Sequence, residues 1–61
     1  MRAEEVYTLR GYEVLAETAK AILIEVNREE IWIPLSQVRD RDDEASELTM
    51  TAWIAKEKGL L

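Results

Sequence analysis

The sequence predicts a mainly β fold: a small antiparallel barrel or bent sheet of four or five strands with a short C-terminal helix. Three observations predict it. The runs Ala21–Val26 and Ile31–Pro34 are rich in β-branched residues and flank a short polar stretch, Asn27 to Glu30. Apolar residues stand at successive positions in both runs, so both faces of these strands carry apolar groups. Thr51 and Gly59 bracket a segment with the end signals of a helix of about two turns.

Each element follows from local chemistry. Val6-Tyr7-Thr8-Leu9 has β propensity, and residues 1–10 read either as an edge strand or as an arm reaching a neighbour. Gly11 breaks it from the next strand, Tyr12 to Glu17. A two-residue turn at Thr18-Ala19 then places Glu17 opposite Lys20, Leu15 opposite Ile22 and Val14 opposite Leu23. Lys20 to Val26 is the central strand. The next turn is either Asn27-Arg28 alone or a four-residue loop, Asn27 to Glu30; both give the same faces.

Period-2 alternation then sorts the side chains. Leu15, Ile22, Ile24, Ile31 and Ile33 form an aliphatic interior face. Tyr12, Val14, Leu23, Trp32 and Pro34 form a mixed aromatic and aliphatic face of the kind found at interfaces. Pro34 donates no ladder hydrogen bond, so its strand is an edge or ends there. Leu35 to Val38 reads as a 3₁₀ turn and Arg39 to Glu44 as a charged loop. Glu47 to Met50 is a last short strand with Leu48 and Met50 on one side. The helix occupies residues 51–58, with Thr51 as N-cap, Lys56 and Lys58 near the C-terminus and Gly59 just beyond. So short a helix needs tertiary packing to persist.

Sixty-one residues suffice for a single small domain, 1–61. Chains of this size bury only about 60% of their unfolded surface, and self-association is one remedy. The absence of cysteine and histidine rules out disulfides, thiolate metal sites and His-based catalysis. A net charge of −5 argues against nucleic-acid backbones and anionic membranes. No apolar leader or membrane-length run is present, so the expected setting is soluble and cytoplasmic. One Asn, one Gln, no Cys and abundant Glu and Arg are usage common in heat-adapted proteins.

Motifs for chemistry are sparse. Ser36 and Ser46 have no evident activating base. With 13 acidic residues in 61, carboxylate pairs arise by chance. The loop Asp40-Arg41-Asp42-Asp43-Glu44 offers clustered oxygens, yet it has no turn glycine and carries opposing arginines, so it reads as a solvated loop. Gly11 and Gly59 are isolated and match no phosphate-cradling motif. The four aromatics could stack bases, but the arginines are not interleaved with them. No enzyme activity, cofactor or metal is expected.

Four strings carry a resemblance: Glu13-Val14-Leu15-Ala16-Glu17-Thr18, Lys20 to Ile24, Glu29 to Pro34 with Ser36-Gln37-Val38, and Trp53 to Leu60. Together they resemble small proteins encoded by bacteriophages and prophages, over about residues 13–60. The resemblance implies a phage setting and brings no catalytic residues. Where similar sequences have a small residue such as Gly in the hairpin turn, this chain has Arg28. The order of short strands, 3₁₀ turn and final strand is also similar to an SH3-like barrel, a likeness of fold alone.

The functional expectation is a non-enzymatic accessory protein that self-associates and binds a macromolecular partner. Its interface residues are Tyr12, Val14, Leu23, Trp32 and Trp53. Two alternatives stand beside it: single-stranded nucleic-acid binding in phage replication or recombination, and binding of a small ligand such as a nucleotide between subunits.

Overall fold

The computed structural model describes residues 4–61. Residues 1–3, the start of the expected strand or arm, lie outside the described residues. The fold is mainly β, with six strands among the described residues rather than four or five. They are β1 (Val6–Arg10), β2 (Glu13–Glu17), β3 (Ala21–Val26), β4 (Glu29–Pro34), β5 (Val38–Asp42) and β6 (Glu47–Thr51). A 3₁₀ turn, Leu35–Gln37, joins β4 to β5, and helix α1 (Ala52–Glu57) follows β6. The strands divide into two antiparallel three-stranded sheets, one ordered β1-β6-β5 and the other β2-β3-β4.

The second sheet is a meander. Val26 faces Glu29 across Asn27 and Arg28, whose φ values are +53° and +66°. Two successive positive φ angles are those of a type I′ turn, whose twist matches the strands it joins. The β2–β3 connection departs from the expected two-residue turn. Glu17 pairs with Ile22, not Lys20, and the Thr18 hydroxyl accepts from the Lys20 and Ala21 N–H groups at 3.3 and 3.1 Å. A polar side chain bonded to its own backbone builds this turn without requiring Thr18 or Ala19 to enter positive φ.

A β-bulge between Val14 and Ala16 re-sorts the faces of β2. Val14 pairs with Ile24 and Ala16 with Leu23, so two residues of β2 sit against one step of β3. Leu15 therefore does not oppose Ile22 on the interior face; it lies outward and is 43% exposed. Val14 moves to the inner side of the sheet, where its edge position leaves it 37% exposed. Tyr12, also assigned outward from alternation, is 5% exposed and packs in the core. One extra residue is enough to exchange the two sides of a strand.

The core lies between the sheets and under the helix. It joins Ile22, Ile24 and Ile33 of the second sheet to Leu9, Leu48 and Met50 of the first, with Ile54 and Ala55 of α1. The expected charged loop at Arg39 to Glu44 is instead mostly strand: β5 is an edge strand whose backbone pairs with β6 while its charged side chains meet water or bridge to other elements. The turn that follows holds Ser46 at φ +53°. β1 is an edge strand, as its propensity suggests, and β4 ends at Pro34 on the opposite sheet's edge.

The end signals of α1 work as the sequence indicates. The Thr51 hydroxyl accepts from the Ile54 N–H at 3.2 Å and donates to Gln37 Oε1 at 2.8 Å. Gly59, at φ +75°, lets the Leu60 N–H return to the Ala55 carbonyl at 2.8 Å. No helix among the described residues is long and apolar enough to cross a membrane.

Candidate docking face

The two sheets present unlike outer faces. On the first, Thr8 and Thr49 face each other with their hydroxyls 2.9 Å apart, and Arg10 pairs with Glu47 at 2.9 Å. Asp40 and Asp42 continue that polar surface on β5. On the second, directly paired residues share a side, which gives three rows across the strands. Glu13, Glu25 and Glu30 form the first row. Ala16, Leu23 and Trp32 form the next, with Leu15 added at the bulge. Ala21 and Pro34 form the last.

The middle row is the apolar part of this face. Trp32 is 44% exposed, and Leu23 beside it is half-buried. Beyond the last row, a shallow recess of about 460 Å³ is lined by Ala19, Lys20, Pro34, Leu35 and Ser36. Successive rows are about 7 Å apart along the strands, and neighbouring strands about 4.8 Å apart. The apolar row thus sits one pleat from three carboxylates.

Those carboxylates differ from the other paired acids of the molecule. Arg39 holds Glu4 through two hydrogen bonds, and Arg41 holds Glu17 and Asp43. Among the described residues Glu13, Glu25 and Glu30 take part in no ion pair. Like charges directly opposite in a ladder destabilise it. The row therefore gathers negative charge on this one face.

The expected interface residues separate. Leu23 and Trp32 come together as neighbours on the outer face. Val14 is on the inner side and Tyr12 is in the core, where its hydroxyl donates to the Glu47 carbonyl at 3.3 Å. Burial holds the Tyr12 phenol above its ordinary value; Asp43 adds to this and Arg41 opposes it. Trp53, 61% exposed, belongs to another surface: α1 packs on β1 and β6, and the indole borders a recess with Glu5, Gln37 and Lys56.

Sequence reasoning missed Leu15 and the glutamate row. The Glu25–Glu30 pair was readable once the Asn27-Arg28 turn was fixed, since that turn sets the β3–β4 register. Glu13 and Leu15 required the bulge, which no residue in β2 announces. Among the described residues neither Ser36 nor Ser46 has its hydroxyl hydrogen-bonded to a base, and no group of three or more potential ligands is placed to hold a metal. The chain matches no family model, no curated protein and no solved structure.

Proposed function

We propose that this chain is a non-enzymatic, phage-type accessory protein that works by docking the outer face of its second sheet on a macromolecular partner. The observation that supports this most is the contrast between the two outer faces. One sheet carries a threonine pair, an ion pair and a single exposed apolar side chain, Val6, on its outer surface, while the other exposes Leu15 and Trp32 on either side of half-buried Leu23. Exposed apolar groups gathered in one row with a polar border are characteristic of interaction surfaces.

A second copy of the chain is the second reading, and Lys20 favours it. Lys20 lies at the apolar end of the face, away from the glutamate row. Antiparallel stacking of two faces brings the glutamates of each copy toward Lys20 of the other. Sedimentation velocity over micromolar to millimolar concentration tests this reading; a 7.1 kDa species throughout rules it out.

The docking reading itself is tested by the part Trp32 plays in folding. If the ring serves a partner, Trp32→Thr lowers stability by no more than about 1 kcal/mol, as for a surface change. A loss above about 2 kcal/mol in chemical denaturation says instead that the ring holds the sheet together, and the reading fails.

A further inference from the structure

We propose that the occupant of this face is a cationic, amphipathic polypeptide segment. Its apolar side chains cover Leu15, Leu23 and Trp32, and its Lys or Arg side chains meet Glu13, Glu25 and Glu30. The inference rests on the docking reading and adds the partner's chemistry. Charge complementarity carries it. Three carboxylates that have no ion-pair partner among the described residues border the apolar row, and a cationic partner brings them charges of the opposite sign.

The spacing suits a polypeptide. Basic and apolar side chains two apart on a strand, or three to four apart on a helix, are separated by about 5–7 Å. That matches one pleat between the Glu25 and Leu23 rows. Glu30 and Trp32 lie on one strand and one side, so a single guanidinium or ammonium between them meets both a carboxylate and the face of an indole. A nucleic acid brings phosphates to three carboxylates on a chain of net charge −5 and is repelled. A second copy brings the same net charge and a single lysine at the right end.

The test uses the full ¹⁵N-labelled chain and three synthetic peptides of identical apolar content. Their polar positions are Lys/Arg, Gln or Glu. Two-dimensional NMR reads affinity and site at 20 and 200 mM salt, and sedimentation velocity reads assembly. The cationic peptide is expected to bind alone, shifting amides of Leu15, Leu23, Glu25 and Trp32, and to weaken at least about threefold in the higher salt. Glu25→Gln with Glu30→Gln is expected to weaken it about fivefold. Glu44→Gln with Glu57→Gln, which changes net charge equally on other surfaces, is expected to leave affinity unchanged.

The failures are distinguishable. If the Gln peptide binds this face as tightly as the cationic one, the docking reading stands and the cationic partner is overturned. The same holds if the chain self-associates through these residues. If no peptide binds and the chain stays monomeric, or if shifts gather around Trp53, both are overturned. Equal weakening by the two double variants reduces the effect to net charge and also overturns the inference.

Discussion

Arg41 on β5 reaches across to Glu17 on β2, donating from Nη1 and Nη2 at 3.1 and 2.9 Å, while its Nε bonds Asp43 at 2.8 Å. Among the described residues this is the ion pair that ties one sheet to the other. It sits at the rim of the core, on the sides the two sheets turn toward each other. The Arg41 pairing with Leu48 and the Glu17 pairing with Ile22 put both side chains there.

The pair makes stability depend on acidity. Hydrogen bonds from Arg41, and then its charge, hold the Glu17 carboxyl below its ordinary value of 4.5. Arg39 acts on Glu4 in the same way, again chiefly through hydrogen bonds. A carboxyl depressed in the folded state stabilises fully above its unfolded value and loses that contribution as pH falls through the folded value. Melting curves from pH 6 down to pH 2.5 are therefore expected to drop below pH 4.5. Glu17→Gln should lower the curve at pH 6 and flatten the acid limb. Both carboxylates are solvent-exposed, so the change is modest and shrinks in high salt. An unchanged acid limb in Glu17→Gln contradicts the assignment.

The bulge makes a sharp contrast between two aliphatic residues. Ile22 is wholly buried, and Ile22→Ala should cost about 2–5 kcal/mol. Leu15→Ala should cost under about 1 kcal/mol, since the side chain already meets water. Urea unfolding distinguishes the two registers: a large loss at Leu15 is the signature of a regular, unbulged pairing.

Arg28 occupies a backbone region that costs an L-residue about 1–2 kcal/mol. Its φ of +66° and that of Asn27 at +53° define the turn. Glycine avoids that strain but gives up unfolded-state restriction of up to about 1 kcal/mol. Arg28→Gly is thus expected to stabilise by roughly 0.5–1 kcal/mol and raise the melting temperature by a few degrees. A lower melting temperature argues against the type I′ geometry.

Thr51 has two jobs, capping α1 and holding Gln37 of the 3₁₀ turn. Thr51→Ala removes both and should cost about 2 kcal/mol. Thr51→Ser keeps the hydroxyl and should recover more than half of that loss. If Ser and Ala behave alike in thermal unfolding, the methyl group's packing is what matters at this buried site.

The elements were legible where local chemistry is decisive. Asn27 marked its turn, Thr51 and Gly59 marked the helix, and Pro34 marked a strand end. β5 was hidden because its residues are charged; an edge strand held by backbone bonds needs no apolar pattern. The bulge was hidden for a related reason: Leu15 and Ala16 lack the glycine that signals some bulges, and the bulged register is the one that accompanies Tyr12 in the core. Of the expected interface, Leu23 and Trp32 were placed by plain alternation. Tyr12 was misplaced by the bulge, while Trp53 is exposed as an interface residue must be but lies on a different surface from Leu23 and Trp32.

The pairing of β1 with β6, Leu9 against Leu48 and Val6 against Thr51, also makes the strand pairings unequal in loop-closure cost. The β2-β3-β4 meander closes through short connections and can zip early, whereas joining β1 to β6 must bring together residues some forty positions apart. By loop closure alone β1 is expected to join last, after the β2-β3-β4 meander and the β5-β6 hairpin. A meander formed ahead of that closure has apolar side chains front and back, and charged residues beside apolar strands, as Glu13, Glu25 and Glu30 are, disfavour clumping of half-folded chains.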